Sequence, residues 1–120
     1  MAEYKLGEIE MQFAEIIWEN EPITSGELAK RAEVQLQWKK STTYTILKRI
    51  CDRGLFENKK GIVRGLVTKE EFLAKRSEQF VEETFQGSLP AFLAAFTARK
   101  NLTPEEVATL RRMVDEYEEG

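Results

Sequence analysis

Trp38-Lys39-Lys40-Ser41-Thr42-Thr43-Tyr44-Thr45-Ile46-Leu47-Lys48-Arg49-Ile50-Cys51-Asp52-Arg53-Gly54 runs directly into Leu55-Phe56-Glu57-Asn58-Lys59-Lys60-Gly61-Ile62-Val63-Arg64-Gly65-Leu66-Val67. The first run has a helical period. Thr43, Ile46, Leu47 and Ile50 fall on one side, while Ser41, Thr42, Thr45, Lys48, Arg49 and Asp52 fall on the other. Gly54 is placed to end the helix in the left-handed conformation. The period then changes. Leu55–Asn58 and Ile62–Val67 read as two short strands, joined by a turn at Lys59-Lys60-Gly61. A helix with a polar, basic outer face followed at once by a hairpin with a basic tip is the signature from which the rest of the chain is read.

Upstream, two more helices precede it. Ile9, Phe13, Ile16 and Ile17 form an apolar stripe in a helix over Glu8–Trp18, which Asn20-Glu21-Pro22 ends. Pro22 and Ile23 either form a very short strand or turn the chain. Thr24 or Ser25 can cap the next helix, and Thr24, with Glu27 three positions on, has capping-box spacing. Leu28 and Ala32 face inward on a helix of about two turns that runs out by Glu33, with Val34–Trp38 a turn or an extension of it. Trp18 and Trp38 are expected as core anchors, and Cys51 as a small apolar filler.

Downstream, Thr68 with Glu71 opens a long helix reaching about Phe85. Gly87 breaks it, Ser88 caps a second piece with Pro90 in its first turn, and Thr103-Pro104-Glu105-Glu106 starts a third. The fold class expected is therefore mainly α with a small β-hairpin. Residues 1–67 form a winged helix-turn-helix DNA-binding domain, and residues 68–120 a helical dimerisation region. The arm is rich in apolar residues that must be buried against something. Packing back on the first domain is one way. A second copy of the chain is favoured, because a two-fold protein matches a two-fold DNA site. Phe85, Leu89, Phe92, Leu93, Phe96, Leu110 and Val114 are the residues expected at that interface.

Charge follows the same division. The whole chain carries −3. Residues 1–37 carry −5, residues 38–64 carry +6 from eight basic and two acidic side chains, and residues 65–120 carry −4. A basic middle between acidic ends points to duplex DNA as the partner. The residues expected to touch it are Lys39, Lys40, Ser41, Thr42, Thr45, Lys48 and Arg49 on the helix, with Lys59 and Lys60 at the hairpin tip. Small hydroxyl residues near the start of a recognition helix let the backbone approach the groove. Their oxygens bond phosphates or bases, and a Thr methyl touches a thymine methyl. Lys39 and Lys40 are expected to contact phosphates or bases, Lys48 and Arg49 to extend the positive surface, and Lys59 and Lys60 to lie along the backbone or in the minor groove.

Composition narrows the chemistry. At 42% hydrophobic and 32% charged, the chain is globular rather than disordered. It has no histidine and one cysteine. That removes His-based acid–base catalysis, Ser-His and Cys-His nucleophiles and ordinary zinc, haem and copper sites. No enzyme activity, cofactor or metal is expected. A lone cysteine forms no internal disulfide, and the opening MAEYKLGEIE lacks the pattern of a signal peptide, so a cytoplasmic protein without membrane insertion is expected.

The run Trp38–Ile50 followed by Arg53-Gly54-Leu55 resembles the recognition helix of the BlaI/MecI/CopY penicillinase-repressor family. Leu6-Gly7-Glu8-Ile9-Glu10, Ile16-Ile17-Trp18 and Glu21-Pro22-Ile23-Thr24 resemble its first helix and turn. Gly87-Ser88-Leu89 through Phe96, Leu102-Thr103 and Glu105-Glu106 are similar to its dimerisation part. The resemblance covers nearly the whole chain. It implies a homodimeric repressor on a palindromic operator, released when a protease linked to a membrane sensor of β-lactams cuts the dimerisation region. In the β-lactam repressors the cut falls before a Phe in a stretch like Leu93-Ala94-Ala95-Phe96, which marks Ala95 and Phe96 as the candidate cleavage site. Ala95 stands where those repressors carry Asn. The copper-responsive branch carries a cysteine-rich C-terminal motif, and residues 65–120 contain no cysteine. The rival reading is a winged-helix protein-interaction module without specific DNA binding.

Overall fold

The computed structural model describes residues 2–120, in the order α1 Glu8–Asn20, β1 Ile23–Thr24, α2 Ser25–Leu36, α3 Lys40–Asp52, β2 Phe56–Lys59, β3 Ile62–Gly65, α4 Lys69–Phe85, α5 Leu89–Arg99 and α6 Pro104–Glu119. Six helices and one small antiparallel sheet make a winged-helix domain followed by a helical C-terminal region. The chain divides into two compact units, Met1–Glu78 and Gln79–Gly120, and the division falls within α4.

The first unit is built on an apolar core. Phe13, Ile17, Leu28, Leu47, Ile50, Leu55, Phe56 and Val63 are its largest closed side chains, with Phe72 from α4 also buried. Ile9 is an exception to the expected stripe, with 53% of its surface exposed. It lies in the first turn, and Ala14 takes its place on the buried face beside Phe13, Ile16 and Ile17. Both tryptophans are half-buried and pack on the core by one face. Trp38 lies against Phe13 with ring centroids 5.0 Å apart, and Trp18 lies against Phe56 at 5.2 Å and Phe72 at 5.6 Å. The Trp18 indole N–H donates to the Val67 carbonyl at 3.1 Å. Gly65 makes room for this, since a Cβ there would stand 2.8 Å from the Val67 carbonyl oxygen and 3.1 Å from the indole nitrogen.

The sheet has order β1-β3-β2. Of the two readings of Ile23, the strand is the one found. Ile23 pairs with Val63 and Thr24 with Ile62, so the hairpin is fixed to the rest of the unit by its second strand. The turn is two residues long, because Lys59 still pairs with Ile62. Lys60 and Gly61 both have positive φ, 53° and 80°, as a hairpin matched to right-handed strand twist requires. Helix α2 is longer than two turns. It continues to Leu36 and ends with Gln37 in the left-handed conformation, since no Gly or Pro interrupts Val34–Leu36.

In the second unit, Ser88 caps α5 by accepting from the Ala91 N–H, and Thr103 caps α6 reciprocally with Glu106. Phe80, Phe85, Phe92 and Phe96 form a chain of neighbouring rings with centroids 5.7–6.1 Å apart. No residue of α5 or α6 is buried.

Candidate nucleic-acid interface

Helix α3 owes its position to Thr43, Leu47 and Ile50, which are buried. With that face committed, Ser41, Thr42, Thr45, Lys48 and Arg49 are exposed, as are Lys39 and Lys40 at the helix start. Lys59 and Lys60 are exposed at the hairpin tip. The nine side chains expected to meet DNA therefore all lie open to solvent.

Their freedom differs. Among the described residues, Lys39, Lys59 and Lys60 have no ion-pair partner, and the Lys40 ammonium lies 6.0 Å from the centre of the Tyr44 ring. The Thr45 hydroxyl donates to the Ser41 carbonyl at 2.9 Å, so its own proton is occupied and its methyl and lone pairs are what it offers outward. Lys48 pairs with Asp52 at 3.0 Å on a solvated surface, an interaction too weak to keep it from a phosphate.

Arg49 is shared with the interior. Its guanidinium is 3.9 Å from Oε2 of Glu10. Glu10 is the polar centre behind α3. Its Oε1 accepts from the Gly7 N–H at 2.9 Å and from Arg53 at 2.8 Å, and Arg53 also donates to the Lys5 carbonyl. Burial works to raise the Glu10 pKa. The Gly7 and Arg53 hydrogen bonds, with the charges of Arg53 and Arg49, outweigh it and hold the carboxyl below its ordinary value. Sequence spacing does not reveal Glu10 as a partner of the basic segment, because Glu10 and Arg53 are 43 residues apart. Arg53, which adds to the charge of the basic stretch, serves this internal network and not the outer face. Cys51 is half-buried, and burial followed by the Asp52 and Glu57 charges pushes its thiol up to about 11. It stays protonated and unreactive at neutral pH.

Three elements meet at the open face. The Ser25 N–H at the start of α2 donates to the Gly61 carbonyl of the hairpin turn at 2.8 Å, and the Tyr44 hydroxyl of α3 lies 3.4 Å from Ser25 Oγ. Within the hairpin Glu57 pairs with Arg64, the side chains 3.8 Å apart. A rigid basic helix beside a rigid basic turn can follow a phosphate backbone while small residues approach base edges. Among the described residues no group of three or more His, Cys, Asp or Glu is arranged to hold a metal ion, and no helix is long and apolar enough to cross a membrane.

In the second unit, Leu89, Leu93, Leu110, Met113, Val114, Tyr117 and Glu118 line an apolar concavity of about 620 Å³. Leu89 and Val114 are more than half exposed, whereas Phe85 and Phe92 are partly covered by the aromatic chain. Ala95 and Phe96 are both exposed on α5.

The family model described as Penicillinase repressor matches residues 6–116. Methicillin resistance regulatory protein MecI of Staphylococcus aureus is 22% identical over 116 residues, which cover 93% of this chain and 94% of that protein. The MecI protein of Mammaliicoccus sciuri is 21% identical over the same shares of both chains. Penicillinase repressor of Bacillus licheniformis is 21% identical over 117 residues, 94% of this chain and 91% of that protein.

Proposed function

The chain belongs to the penicillinase repressor family, and on that footing we propose that it is a cytoplasmic, dimeric transcriptional repressor of a palindromic operator. The observation that carries this reading is the open face of the first unit. Lys39, Lys40, Ser41, Thr42, Thr45, Lys48 and Arg49 line one side of α3, with Lys59 and Lys60 at the turn between β2 and β3. In this reading residues 1–67 bind DNA and residues 68–120 join two copies. The concavity bordered by Leu89, Leu93, Leu110 and Val114 supports the second assignment, since an apolar surface of this kind is stabilised by covering it. Phe85, Phe92 and Phe96, in the aromatic chain between α4 and α5, complete the proposed interface.

Dimer loss is an effective way to switch such a protein off. One protomer neutralises half as many phosphates, and affinity falls steeply with that number. The linked second reader also loses its effective concentration. Cleavage between Ala95 and Phe96 by a protease tied to a membrane sensor acts through this step. Ala95, in place of Asn, means that any such protease tolerates a small apolar residue before the cut.

The test is a salt titration of binding to labelled DNA from upstream of the chain's own gene, with random duplex as competitor. Specific binding with a steep negative slope of log K against log salt is expected. Thr45→Ala and Arg49→Ala should each weaken binding severalfold and leave the dimer intact. Equal weak binding to both duplexes rejects this operator and leaves a nucleic-acid-binding protein that acts elsewhere, and no binding at low salt rejects the repressor in favour of a protein-docking module.

A further inference from the structure

Ser25 lies outside the basic segment and carries no charge, yet it touches both DNA-facing elements. Its backbone N–H donates at 2.8 Å to the carbonyl of Gly61, the second residue of the hairpin turn. Its side-chain oxygen is 3.4 Å from the Tyr44 hydroxyl on α3. The first bond extends the β1–β3 ladder by one residue, from the Thr24–Ile62 pair to the turn itself. The Tyr44 ring in turn lies under the Lys40 ammonium. A hairpin turn held only by its own two strands would swing about its base. Here the turn carrying Lys60 is tied at its tip to the start of α2 and through it to α3.

We infer that Ser25 is a positioning residue that fixes the spacing between the hairpin lysines and the recognition helix, so that both engage one stretch of DNA backbone together. The inference rests on the DNA-binding reading and deepens it. In this role Ser25 acts through Gly61 and Tyr44, the two groups it bonds. Cooperation between the two elements follows, because binding by one holds the other in place without a further loss of freedom.

The chemistry offers a clean probe. Ser25 is the first residue of α2, where proline is accepted because that N–H has no partner within the helix. Thr24, with φ −70° and ψ 149°, already has the conformation favoured before proline. Ser25→Pro therefore leaves the helix able to form while it removes the donor to Gly61, pushes the turn away and deletes the hydroxyl. Ser25→Ala removes only the Tyr44 link, as does Tyr44→Phe, and Ser25→Thr restores a hydroxyl.

The experiment is a double-mutant cycle on binding of the full-length protein to the upstream duplex, with Lys60→Ala as the second change. In the native background Lys60→Ala should weaken binding about 25-fold at physiological salt, about fivefold for the phosphate that each of the two protomers leaves without its cation. In the Ser25→Pro background the same change should weaken binding less than about twofold, because the lysine no longer stands over that phosphate. Ser25→Ala and Tyr44→Phe should each reduce the effect of Lys60→Ala partially, and Ser25→Thr should return it to the native value. Thermal melts of each variant report folding separately, and if Ser25→Pro melts early the Ser25→Ala and Tyr44→Phe cycles decide. Equal effects of Lys60→Ala in every background overturn the inference while leaving the repressor reading in place. Native protein that binds no duplex overturns both.

Discussion

Thr43 has no exposed surface, and its hydroxyl oxygen is buried without a hydrogen-bond partner. A buried unpartnered oxygen destabilises the fold, and valine has the same shape without it. Thr43→Val is expected to raise stability by about 1 kcal/mol, measured by urea unfolding, with DNA affinity unchanged. Glu10 behaves oppositely, because its charge is used. The folded carboxyl sits below its unfolded pKa, so the unfolded chain takes up the proton first. Its stabilisation is complete above about pH 4.3 and lost as pH falls through the lower folded value. Glu10→Gln should cost about 1.5 kcal/mol at pH 7, and the gap to native protein should narrow on acidification through that window. A gap that does not change with pH would mean the carboxylate charge contributes nothing. Neither residue announces its role in the sequence. Thr43 is legible as buried from its place in the helical stripe, but the missing partner depends on what other segments bring to it.

At the scale of elements, the hairpin shows stability and binding pulling apart. Lys60 holds φ at 53°, a conformation that disfavours ordinary side chains and suits asparagine before glycine. Lys60→Asn is expected to raise stability by about 0.5–1 kcal/mol while weakening DNA binding about 25-fold through the charge missing from both protomers. A melt and a binding isotherm on one sample check both signs. The helices are legible because their stripes and caps are local: Thr24, Ser88 and Thr103 cap as their spacing predicts. What escapes a reading of the sequence is set by distant pairing. The strand at Ile23–Thr24 exists because β3 is there to receive it, and two residues carry no period of their own. Ile9 has the right spacing for the buried face yet lies in the open first turn. The outer face of α3 is legible by subtraction from its buried one. The Ser25 junction is not, since its partners lie 19 and 36 positions away.

For the whole molecule, the proposed dimer rests on the second unit. Val114 is 59% exposed within one chain, so a charge there costs the isolated protomer little. Val114→Asp should leave the first unit's melting unchanged, abolish the dimer in analytical ultracentrifugation and lower operator affinity by about a hundredfold or more, on the order of the gain from linking two readers. A dimer that survives would move the interface elsewhere. The proposed cleavage between Ala95 and Phe96 belongs to the same scale. Both residues lie within helix α5, and a protease needs extended chain, so cutting should follow the rate at which that helix opens. In the proposed dimer, mutual cover by the two protomers would also bear on the helices themselves, because no residue of α5 or α6 is fully buried within one chain. Their melting temperature should rise with protein concentration. There is a consequence for the cell that carries the gene. For a repressor that holds its operator only as a dimer, as proposed, promoter occupancy at low protomer number would follow the square of that number, so a missed round of synthesis, or the halving at division, would be felt twice over. Such a regulator keeps a census of itself, and the silence of its target genes becomes a readout of how recently it was made.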